Sequence, residues 1–526
     1  MFSNLPIGQL APAKKIDPKD IPPPTPVVLP RYQPIAQDDA SIDVADALPT
    51  LLRSIGRSMS SFLGPRGLSA LGLNLELDVS PEELVPDPSF IPNFKSWEQL
   101  SPDEAQDLNQ STRIPIRNGN LSPGCQTYLE RKKELSNTNE DGFRTVRRLP
   151  PPKGKQHARL GNAYEFFRCL ENFTTYWDDP TQPADLPPSP EITPSEIKAE
   201  DEDVSKKADG GAKEVKVIRT NEGSAMPAEF RQQLLSAFIK LVAYDFGCNV
   251  SLARLEPRLH LSSSKGSPSS APRKTYCASS CSFIYQSPTT RETARAGILY
   301  GPLGAVSSRP TVKFADADSV TVQSLDLARE VVAALITAQH RARENKTEVR
   351  FGEGEWWTTK PRWGGGSGGP IGREVDRDAI VGEKDAKPSD SEGMPIPKKP
   401  RKNMSVYDSY RMVRPPSSTW DKKMRYEAIG KVKGSTYDDV FVVSCLFHHI
   451  SVLRVRVPNR LLEVLEGSPE PDLSKRSWGK LQAWRSKWYD LYVTDQRVAA
   501  MQLLWGVLAY QMRNDAGDAD TAMSGV

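Results

Sequence analysis

With 526 residues the chain could hold about three domains, yet 45 prolines, only 38% hydrophobic residues and a mean hydropathy of −0.51 imply less folded mass than that. Six scattered cysteines exclude a disulfide framework and fit a reducing compartment. The net charge of +3 is too small to name a partner until it is divided by region; no secretory start is visible, and the most apolar run, 501–510, is about half a bilayer span, so a soluble intracellular chain is expected.

Residues 1–155 read as a mostly disordered tail, opening with the proline-rich "DPKDIPPPTPVVLPRYQP". Within it, 49–64 predicts one short amphipathic helix. Pro49 suits its first turn and Gly64 its stop, while Leu51, Leu52, Ile55, Met59, Phe62 and Leu63 share a face. Arg53 and Arg57 without an intervening acid would suit a membrane surface or a mitochondrial presequence, but the internal position and the acids just upstream favour docking on a partner or on the chain's own core.

An α+β domain is expected over 158–363, interrupted by an acidic disordered loop at 180–224. Leu160, Tyr164, Phe167, Leu170, Phe173 and Trp177 recur every three or four residues, predicting a helix with an aromatic core face. A second helix spans 227–247, started by Pro227 and closed by Gly247. Three strand candidates follow in 251–261, 275–286 and 296–308, then a helix over 324–344 with Ser324 as N-cap. Residues 364–404 read as a Gly-rich and basic linker. A basic α+β block occupies 405–513, either separate from the preceding domain or packed on it, with two strands in 438–458, a basic aromatic helix over 477–492 and an almost wholly apolar helix over 495–513. Residues 514–526 form a tail. The fold class is therefore α+β, with mixed helices, short antiparallel sheets and long disordered proline-rich and acidic segments.

No pattern names a reaction, so no catalytic residue, metal ligand or cofactor is expected. Cys277 and Cys281, if in one strand, lie about 13 Å apart, too far for one zinc, and read as buried thiols. The glycines of 364–372 lack the Gly-Lys-Ser/Thr ending of a phosphate loop. His448 and His449 are adjacent, and adjacent strand residues face opposite ways, so joint ligation would need a turn between them. A centre built from Asp438, Asp439 and His448 is conceivable, but an Asp-rich turn followed by one buried and one exposed histidine fits the pattern better.

Charge is the more informative signal. From Ile396 to Arg460 fourteen Lys or Arg stand against five acids, an excess larger than that of the whole chain, which points to a polyanionic or acidic partner. Arg454 and Arg456, on one strand face, with Lys480, Arg485 and Lys487 beyond, are the expected contacts with nucleic acid or an acidic protein. The run Lys398-Lys399-Pro400-Arg401-Lys402 resembles a monopartite nuclear localisation signal, which implies an import receptor and the nucleus. "IKAEDED" resembles an acid-extended SUMO acceptor site, with Lys198 as the acceptor. The function expected is a nuclear, non-enzymatic adaptor or regulatory subunit of a chromatin or transcription-related complex, partnered by protein subunits and possibly nucleic acid, with no membrane contact. The alternatives are sequence-nonspecific DNA or RNA binding, or an enzyme of unrecognised type.

Overall fold

The computed structural model describes residues 17–21, 27–32, 43–54, 64–117, 120–175, 226–251, 258–264, 274–286, 298–309, 311, 314, 319–344 and 425–514. Lys198 and the quartet Lys398, Lys399, Arg401 and Lys402 lie outside the described residues, as do Arg57, Met59 and Phe62.

The fold is α+β, built on a mixed sheet of nine strands among the described residues. Strand β1 (Leu73–Val79) is one edge. Strands β2 (Cys248–Ser251), β5 (Ser282–Gln286) and β6 (Ile298–Arg309) form the other side, while β3 (Leu259–Ser262) and β4 (Lys274–Cys277) make a separate ribbon. From the C-terminal block come β7 (Arg425–Glu427), β8 (Tyr437–Leu446), β9 (His449–Pro458), β10 (Leu481–Ser486) and β11 (Tyr489–Asp490). The order is β1-β10-β9-β8-β6-β5-β2, with β11 beside β9 and β7 beside β6. Of the expected short antiparallel sheets the β3–β4 ribbon is one, whereas the other strands form one large mixed sheet: β1 runs parallel to β10, and β6 runs parallel to both β7 and β8. A parallel pair needs a long crossover, and here the chain between β6 and β8 supplies it.

Helices cover both faces. On one side lie α1 (Leu48–Ser54), α2 (Pro65–Leu71), α10 (Ser319–Arg341) and α11 (Asn459–Leu465). Their apolar residues meet Val440 and Val442 of β8, Leu453 and Val455 of β9, and Leu481 and Ala483 of β10. On the opposite side α6 (Cys125–Leu135), α7 (Asn139–Val146), α8 (Tyr164–Asn172), α9 (Ala228–Ala243) and α12 (Thr494–Gln511) enclose Phe441, Val443 and Val452. Burial on both faces explains why β8 reads as a continuous apolar run rather than an alternating one.

The stretch expected to be a tail carries β1 and, within 81–108, the short helices α3 (Pro81–Leu84), α4 (Phe94–Trp97) and α5 (Pro102–Leu108) before α6 and α7. Each contributes only one or two core residues, such as Leu84, Phe94, Trp97 and Ala105. A chain of single anchors leaves no sustained period to read. Ser80 and Ser101 each start a helix with a capping box, using Glu83 and Glu104. The helix expected to run to Gly64 is described only as α1, and Gly64 instead caps the start of α2. The helix expected over 477–492 is β10 and β11. Its aromatic spacing imitates a helix, but Leu481 and Ala483 face one core while Trp484 packs against the other, the period-two pattern of a strand. All six cysteines, including Cys277 and Cys281, are buried. Among the described residues no helix is long and apolar enough to cross a membrane.

Candidate functional site

Two sheet strands carry the arginines that sequence reasoning nominated; Arg454 and Arg485 are buried, and Arg456 is half-buried and paired. Asp439 on β8 stands opposite Arg456 on β9, which stands opposite Gln482 on β10. Arg456 grips Asp439 with two bonds, Nε to Oδ1 and Nη2 to Oδ2, both 3.1 Å. Its guanidinium also lies 4.2 Å from the Tyr437 ring centre. Arg454 is buried, with its guanidinium 3.7 Å from the centre of the Trp484 ring. Arg485 points to the other face, where it donates to Glu330 of α10, and Arg309 at the end of β6 pairs with the same carboxylate at 3.1 Å and with Asp326. Tyr32 closes this buried network through a 2.9 Å bond to Asp326. Of the five nominated cations, Lys480 and Lys487 are the exposed ones.

Asp438 and Asp439 do not meet His448. They begin β8, whereas His448 follows its end, roughly 25–30 Å away at strand rise. Asp438 is bound instead by Arg341 at 2.9 Å, and Gln511 joins the same guanidinium at 2.8 Å.

A different carboxylate reaches the histidines. β8 and β9 are joined by the two-residue turn Phe447-His448, because Leu446 pairs directly with His449. Phe447 adopts φ +55°, a left-handed backbone that a bulky residue rarely takes. The turn sets the two imidazoles side by side, with ring centres 4.4 Å apart, rather than on opposite faces. β11 then pairs with β9 so that Asp490 lies opposite His449. Its Oδ1 is 2.7 Å from His448 Nδ1, and its Oδ2 is 3.9 Å from His449 Nε2. A carboxylate only accepts, so His448 Nδ1 is the donor of that bond. Oδ1 accepts a second bond, at 2.9 Å, from the backbone of Tyr492, whose ring meets His448 edge-on at 5.0 Å.

The expectation of one buried and one exposed histidine fails here. The His448 side chain is 1% exposed and that of His449 14%. Burial pushes His449 down to about 4, with the neighbouring His448 adding to the effect and Asp490 opposing it, so its ring is neutral near pH 7. Burial pushes the Asp490 carboxyl up, but the His448 bond, the charges of both histidines and the Tyr492 amide outweigh it and hold it below its ordinary value. One donor atom from each of the three residues falls within a 4.8 Å cluster. The adjacent histidines were visible in the sequence, but Asp490 was not, because it is reached only if 481–490 is strand.

Comparison with protein-family models, with curated proteins and with solved structures finds no match to this chain.

Proposed function

We propose that this chain is a nuclear, non-enzymatic adaptor of a chromatin or transcription-related complex, in which one folded body carries long charged segments to protein partners. The observation that carries the reading joins sequence to fold. The basic quartet Lys398, Lys399, Arg401 and Lys402 belongs to the segment 345–424, which follows α10 and precedes β7 in the chain. The described residues that flank this segment meet: Glu344 Oε1 accepts from the Ala428 amide at 3.3 Å, and β7 pairs with β6. A proline-flanked basic run suits an import receptor, whose acidic groove takes an extended cationic segment.

Protein partners fit better than nucleic acid for the body itself. Arg485 is buried on Glu330, Arg454 is buried against Trp484, and Arg456 is paired with Asp439, and charge paired or buried in the fold is a poor source of counterion release from a phosphate backbone. The acceptor-like Lys198 lies in the segment 176–225, between α8 and α9 in the chain. The test replaces Lys398, Lys399, Arg401 and Lys402 with alanine in a fluorescent fusion. Loss of nuclear accumulation is expected, and a distribution identical to that of the unaltered chain would refute the address.

A further inference from the structure

The His448–His449–Asp490 cluster has no part in the adaptor reading, and its donor set is specific. We propose that these three side chains form a site for a divalent transition metal of the zinc class, seated at the β8–β9 turn against β11. Two imidazoles with one carboxylate select borderline metals over calcium or magnesium, which prefer all-oxygen shells. The three donors come from two adjacent strand segments fixed by backbone pairing, His449 opposite Asp490 and the Leu491 amide bonded to the His448 carbonyl at 3.1 Å, so the cluster does not depend on a loose loop.

His448 Nε2 and His449 Nδ1, the ring nitrogens other than those nearest Asp490, are buried without a hydrogen-bond partner, so no outer group locks either ring in its present tautomer. The carboxylate and the His449 ring are the exposed side of the cluster, at 18% and 14%, which gives an ion a way in and leaves a coordination position for water. On binding, the metal would replace the 2.7 Å bond between His448 Nδ1 and Asp490, the two side chains parting by a few tenths of an ångström to admit it, and the Nδ1 proton would pass to Nε2. The ion would tie the hairpin to β11 and so to the start of α12, which begins four residues after Asp490.

The experiment titrates untagged, metal-stripped full chain with Co(II) and follows visible absorption, then displaces it with Zn(II). About one Co(II) per chain with the intense bands of a low-coordinate site is expected, and zinc should raise the melting temperature. His449→Gln and Asp490→Asn should each weaken binding beyond the 10- to 100-fold that outer-shell changes typically cost. Circular dichroism reports whether these variants fold, and His157→Gln, at an exposed histidine, serves as the control with unaltered affinity. Absence of saturable Co(II) binding by the unaltered chain would overturn the site. So would equal losses in His157→Gln and His449→Gln, which would mark adventitious surface binding.

Discussion

Glu330 has no contact with solvent, yet two arginines reach its carboxylate. Burial pushes its pKa up, and the charges of Arg309 and Arg485 with the Ser444 hydroxyl more than reverse this, leaving it depressed. A depressed carboxyl contributes stability that is complete above its unfolded value and lost as pH falls through the folded one. Glu330→Gln should therefore remove part of the acid sensitivity. It should also cost about 3–5 kcal/mol in urea unfolding, because it leaves the buried Arg485 without its carboxylate and Arg309 with Asp326 alone. A loss below about 1 kcal/mol would show that the network relaxes to water. His260 works in the same direction by another route. Burial, reinforced by Arg343 and Arg258, pushes it down to about 3, so the folded state refuses a proton that the unfolded chain accepts near 6.5. Its stability contribution is intact above pH 6.5 and declines below it, by up to about 1.4 kcal/mol per unit. His260→Gln should flatten the stability profile between pH 6 and 4, and an unchanged slope there would contradict the assignment. At this scale the sequence exposed the residue types but not their pairings. Arg454 and Arg456 were legible as strand neighbours sharing a face, while the acids and rings that neutralise them come from other elements.

Among the elements, the long helices were readable because two sustain a period of three to four and the last is a long, almost unbroken apolar run. The 227–247 reading corresponds to α9 at Ala228–Ala243, and 324–344 to α10 at Ser319–Arg341. The final apolar helix corresponds to α12, Thr494–Gln511. What stayed hidden was any element whose environment, rather than its pattern, decides its state. The stretch 477–492 sets Trp478, Trp484 and Trp488 among cationic residues at nearly helical spacing, and only two-sided packing makes its middle the strand β10. β1 buries Leu73 at its start and exposes Asn74, Glu76 and Leu77, so nothing in it announces a sheet edge. The parallel pairing of β6 with β8 is the join between the two halves of the sequence, and Gly304 sits in it. A Cβ there would lie 2.7 Å from the Phe441 carbonyl oxygen of the neighbouring strand. Gly304→Ala should lower stability by about 1–3 kcal/mol in chemical denaturation, the usual range for overpacking. A neutral effect would mean that the strands part without cost.

For the molecule as a whole, two blocks that read as separate regions, 158–363 and 405–513, contribute strands to one sheet. Much of 64–155 packs on it as well, so the elements on either side of 176–225 and of 345–424 belong to one folded body. Composition alone could not distinguish this from two separate domains, because the difference lies in whether the flanking elements pair. The adaptor reading depends on this distinction, since segments whose flanking elements share one sheet can recruit partners without disturbing it. Its most direct test is affinity purification of the full chain from nuclear extract, with and without nuclease, beside a chain whose 351–420 segment is replaced by a short Gly-Ser linker and which is directed to the nucleus by an appended signal. Stoichiometric protein partners that survive nuclease and are lost with that segment are the predicted result. Partners that vanish on nuclease treatment, or that bind both chains equally, would contradict it.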